Sequence, residues 1–131
     1  MSYRPEGVSE VTLGPGTHPV FLTGLKRITD RDKLGKFNAQ AVFIASFKSV
    51  ETAVEKDLII KFSGAPADHY AGLNIDRLHL AAGLETPAAG EPLDLENLTN
   101  LLDGVVLTLE INDKGYANAV FAPELPGEEV I

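Results

Sequence analysis

The clearest pattern in the chain is a period of two over residues 37–48. Phe37, Ala39, Ala41, Phe43, Ala45 and Phe47 fall on one parity, while Asn38, Gln40, Ser46 and Lys48 fall on the other, interrupted by Val42 and Ile44. Such alternation predicts a strand with one face more apolar than the other, here Phe37–Ser49. Comparable runs predict strands over His18–Thr29, Lys56–Ser63, Val105–Ile111 and Tyr116–Ala122. Gly24, inside the first of these, predicts a bulge or bend of the kind found at a barrel corner. Asp30–Lys36 reads as a polar turn containing Gly35, and Asn112-Asp-Lys-Gly115 reads as a hairpin turn. After the third strand the period lengthens. Leu73, Arg77, Leu78, Ala81 and Ala82 suit a helix that stops at Gly83. Asp94 is placed to cap a second, short helix with Leu95, Leu98, Leu101 and Leu102 on one face and Gly104 at its end.

The element order is three strands, a helical excursion and a two-stranded hairpin. That order predicts a mainly β fold, a five-stranded OB-fold Greek-key barrel with a helix between strands 3 and 4. The strand face and loops of such barrels commonly bind oligonucleotides or oligosaccharides. An α+β sandwich with the same order stays open, because local pattern specifies element type better than barrel closure. The length of 131 residues suits one domain, read as residues 1–122. Residues 1–16, with their Gly and Pro, read as a mobile lead-in with a short strand at Val8–Leu13. Residues 123–131 carry three Glu and no base and read as an acidic, flexible tail.

Charge sharpens the functional question. The net charge is -8, which argues against a simple basic nucleic-acid binder. Yet five of the 11 Lys and Arg lie between Lys26 and Lys36, against two acids there. Local charge matters because exposed charges more than ~8 Å apart are largely screened at physiological salt. With no cysteine, disulfides and thiolate metal sites are excluded, and a reducing cytosol suffices. The N-terminus has no apolar h-region, so no signal peptide is expected. No apolar run reaches the ~18 residues of a membrane span, so no membrane partner is expected.

Enzyme signatures are scarce, and no catalysis is expected. His69 and His79 stand ten apart, not at the i, i+4 spacing of a helical ligand pair, so neither a metal nor another cofactor is expected. Ser46, Ser49 and Ser63 lack a Gly-x-Ser-x-Gly setting. Leu13-Gly-Pro-Gly-Thr17 precedes a strand and no Lys-Ser/Thr pair follows it, so it is not a phosphate-cradling loop.

Several stretches resemble small phage-encoded single-stranded-DNA-binding proteins. Gly14-Pro-Gly-Thr-His-Pro-Val-Phe-Leu is similar to their Pro-x-Gly-x-Tyr-x-Val opening strand, with His18 near the place of the tyrosine. Lys33-Leu-Gly-Lys36 stands where they carry a Lys- and Gly-containing turn. Ile75-Asp-Arg-Leu-His-Leu-Ala-Ala-Gly83 resembles their Leu-x-x-Leu-x-x-Ala-x-Gly helix. Leu98-Thr-Asn-Leu-Leu-Asp-Gly104 resembles their Leu-x-x-Leu-x-Gly helix end, with one extra residue, and Asn118 matches an Asn of their last strand. The resemblance spans residues 14–122 and is one of order and spacing. It implies a non-catalytic protein of the host-cell cytoplasm that protects or organises single-stranded DNA in phage-type replication or recombination. Lys26, Arg27, Arg31, Lys33, Lys36, Lys48 and Lys61 would then meet phosphates, and Phe37, Phe62 and Tyr116 would stack bases. The acidic tail is a candidate hook for protein partners, and self-association stays open. The rival reading is a β-rich structural or protein–protein interaction module that binds no nucleic acid. The acidic balance, the nine aromatics and the leucine face of the second helix favour it.

Overall fold

The computed structural model describes residues 13–64, 66–88 and 90–122, with the side chains of Phe37 and Ala67 set aside. The expected tail and the expected strand at Val8–Leu13, apart from Leu13 itself, lie outside those residues. Among the described residues, five strands and three helices follow one another as β1 (Gly16–Ile28), α1 (Arg31–Phe37), β2 (Ala41–Ser49), β3 (Glu55–Phe62), α2 (Ala67–Ala81), α3 (Leu95–Leu101), β4 (Val106–Ile111) and β5 (Ala117–Phe121). The strands form one antiparallel sheet in the order β3-β2-β1-β4-β5.

The long first strand is what makes this order workable. Its first half, Gly16–Phe21, pairs with β4, and its second half, up to Ile28, pairs with β2. The register slips between Leu22 and Gly24, where the sequence predicts a bulge. A bulge bends a strand and raises its twist, so one strand can serve two differently directed neighbours. The hairpin turn also forms as expected. Asn112 Oδ1 accepts from the N–H groups of Lys114 and Tyr116, and Gly115 takes φ 89°.

Two helices follow the sequence reading. Helix α2 ends in a Schellman motif: the Leu84 N–H donates to the His79 carbonyl, the Gly83 N–H donates to that of Leu80, and Gly83 has φ 80°. Helix α3 starts where the Asp94 carboxylate accepts from the Asn97 N–H at 3.0 Å.

The region between β1 and β2 differs from expectation. Residues 31–37 are a helix, not a turn, and β2 begins at Ala41, four residues after Phe37. Asp30 explains the difference. Its carboxylate accepts from the Asp32 N–H at 2.8 Å and the Lys33 N–H at 3.4 Å, which supplies an N-cap. Asn38, left-handed at φ 54°, closes the helix. Within the stretch expected as a lead-in, Leu13 belongs to the buried core and Gly16 opens β1.

The core lies on one side of the sheet. Val20, Leu22, Phe43, Ala45, Phe47, Leu58, Ile60, Leu107, Leu109, Ile111 and Val120 meet Ala71, Ile75 and Leu78 of α2 and Leu102. Helix α2 packs against both β3 and β5, the two ends of the sheet order. Those two strands approach each other, yet no ladder joins them among the described residues. The buried Asn74 of α2 takes part of that place. Its Oδ1 accepts from the Val120 N–H at 3.1 Å, and its Nδ2 lies 3.5 Å from the Asn118 carbonyl. One carboxamide thus serves a donor and an acceptor on the edge of β5.

Removing that amide strands the buried Val120 N–H, so Asn74→Ala is expected to lower the unfolding free energy by about 1–3 kcal/mol. Urea unfolding measures it. A loss near zero would show that water replaces the amide without penalty.

Candidate nucleic-acid interface

Residues directly opposite one another in a sheet share a face. On the face away from the core, Lys26 of β1 stands opposite Ile44 of β2, which stands opposite Ile59 of β3. In the neighbouring row, Ile28 stands opposite Val42 and Val42 opposite Lys61. Two cations therefore flank an aliphatic stripe. Ile59 is 46% exposed and Ile28 and Ile44 are half-buried. Val42 is fully buried although it lies outside the core cluster. Helix α1 connects β1 to β2 and contacts β2. That placement brings the exposed Arg31, Lys33 and Lys36 to the same end of the sheet as Lys26 and Lys61. Asp30, Asp32 and, further along the outer face, Asp57 are the acids nearby in the chain and the register.

The other expected site residues are dispersed. Arg27 departs from its neighbour Lys26, and its guanidinium lies over the Phe43 ring, 5.5 Å from the centroid, on the inner side. Phe62 also turns inward. Its ring meets that of Phe43 edge to face, with centroids 6.2 Å apart, so it packs against the core rather than standing as a platform on the outer face. Lys48 is exposed at the far end of β2, seven residues from Ala41 and so about 23 Å away along an extended strand. There it borders a groove with Thr99, Asn100 and Asp103. Tyr116 is 67% exposed on the β4–β5 connection. Phe37 ends α1 rather than opening β2, and its side chain is outside the described residues. No described aromatic side chain stands in the two outer-face rows.

Other features were missed in the sequence. Residues 16–63 hold eight Lys and Arg against five Asp and Glu, whereas residues 64–104 hold seven Asp and Glu against one Arg. The three-strand part of the sheet and α1 are therefore net basic, and the α2–α3 segment is net acidic. The signal was present in the charge sequence, hidden under the overall balance of -8. The single base of that acidic segment, Arg77, stacks on Phe121 at 4.4 Å. That pair borders a groove with the exposed Tyr70, an arrangement only the fold assembles.

The buried His79 directs Nδ1 to the Ile75 carbonyl at 2.9 Å, a helix-internal contact. Among the described residues, no three His, Asp or Glu side chains gather where they would hold a metal ion. No helix among them is long and apolar enough to cross a membrane. No protein-family model matches the sequence, and neither does any curated protein.

Proposed function

We propose that the chain is a non-catalytic, single-stranded-DNA-binding protein built on an OB-type barrel. The barrel reading draws on the order β3-β2-β1-β4-β5, the helix between β3 and β4, and the approach of β3 to β5. The observation that carries the binding reading is the outer face of β1–β2–β3. Lys26 and Lys61 border an aliphatic stripe there, with Arg31, Lys33 and Lys36 at its end. Phosphates follow the cations, and bases lie against the stripe. Aliphatic contact and charge carry more of the affinity than aromatic stacking, so binding is strongly salt-dependent and tolerant of sequence.

The same exposed aliphatics suit a protein partner, which keeps the interaction-module reading as the rival. Titration of a fluorescent oligo(dT) against the chain at low and moderate salt, beside duplex of equal length, separates the two. Tighter binding of the single strand, weakened by salt, is the expected result. Absence of oligo(dT) binding at high protein concentration in low salt would sink the proposal and promote the rival.

A further inference from the structure

A cleft of about 550 Å³ lies between the inner ends of β1–β3, α2 and the chain around Pro87–Leu95. Its size falls within the range of ligand pockets. The Phe43 and Phe62 rings, together with Ile75 and Leu93, give it apolar walls. Gly72 of α2 faces open space, so that part of the wall is clear. Three charged groups line it: Arg27, Asp76 and Glu91. Glu91 already accepts the Ala88 N–H through Oε1 at 2.8 Å, leaving its other oxygen free of that bond, and Asp76 is half-buried.

A cleft with flat apolar walls, one planar cation and two carboxylates has a definite preference. Carboxylates accept from the exocyclic amines of bases, as Asp and Glu do from cytosine N4, and thymine has no such amine. The Arg27 guanidinium, already stacked on one ring, offers its other plane to a base. Arg27, Ala41 and Phe62 of the cleft lie at the same end of the sheet as Lys26 and Lys61, so a strand leaving the outer face over that rim reaches the cleft. The carboxylates repel phosphates, so the part of the nucleotide admitted is the base.

We propose that this cleft accepts one unpaired, amine-bearing base, cytosine above all, from a strand held on the outer face. The inference rests on the single-strand reading and adds a preference to it. The test compares oligo(dC) with oligo(dT) of equal length, by anisotropy at one salt concentration, on the intact chain and on two variants. Asp76→Ala removes one carboxylate from a helix that tolerates Ala well. Glu91→Gln keeps an oxygen for the Ala88 N–H and removes the charge. Oligo(dC) is expected to bind on the order of tenfold tighter than oligo(dT). That ratio should fall to about one in Asp76→Ala and shrink in Glu91→Gln. Equal affinities in the intact chain, or a cytosine preference that survives in both variants, would overturn the cleft and leave single-strand binding standing. If neither oligomer binds, the single-strand reading fails and the cleft fails with it.

Discussion

Phe47→Ala is expected to lower the unfolding free energy by about 3–5 kcal/mol. The Phe47 side chain is fully buried, in register between Leu22 of β1 and Lys56 of β3, and belongs to the core that α2 covers. Its removal leaves a void that a sheet held on both sides closes only in part. Domains of ordinary stability have about 5–15 kcal/mol in all, so the variant approaches the limit of folding. Phe47 is a cleaner probe than Phe43, which also lines the cleft and carries Arg27. Tyr116→Ala is the control, since that side chain is largely exposed and a surface change is usually within about 0.5 kcal/mol. Urea unfolding of both proteins, with fitted slopes compared, reads the difference. Equal losses in the two would mean that the β4–β5 connection is packed and that Tyr116 is no free platform for a base.

The second large effect is on binding. Replacing Lys26, Arg31, Lys33 and Lys36 together by Ala is expected to flatten the salt dependence of oligo(dT) affinity. Each phosphate contact on a single strand adds about 0.7 to the slope of log affinity against log salt, so four lost contacts remove about 3. At 0.1 M salt that corresponds to an affinity lower by as much as about three decades. The fold should survive. The four side chains are exposed, and Ala favours the helix that three of them occupy. A circular-dichroism melt secures that point. An unchanged slope in the folded variant would move the phosphate track away from Lys26 and α1, with Arg27, Lys48 and Lys61 as the remaining cations from the sequence reading.

The elements that were legible in the sequence have local causes. The bulge at Gly24, the stop at Gly83, the cap at Asp94 and the turn at Asn112 each rest on one residue acting on its own neighbourhood. Helix α1 had such a cause as well, the Asp30 cap. Its run of charges and Gly35 pointed toward a turn instead. The period of two in β2 identified the inner face correctly, placing Phe43 and Phe47 in the core. It did not identify what the other face does, because Val42 on that face is fully buried, which the alternation alone does not announce. The candidate site was legible only as a list of cations. Which of them share a face depends on register between strands far apart in sequence, and that register separates Arg27 and Phe62 from Lys26 and Lys61. The bond that ties α2 to the edge of β5 runs from Asn74 to Val120, 46 residues away, and no local pattern announces it.

The Asn74 contact bears on how the protein behaves in a crowded solution. The outermost strand of an open sheet is a template on which other chains can grow, and unpaired N–H and C=O groups along it invite fibril-like stacking. On β5 the Val120 N–H and the Asn118 carbonyl are already engaged by a side chain of the same molecule. That amide acts as a stopper against runaway addition of strands. It leaves the outer face open to ligands while denying neighbouring copies a purchase at that point of the rim.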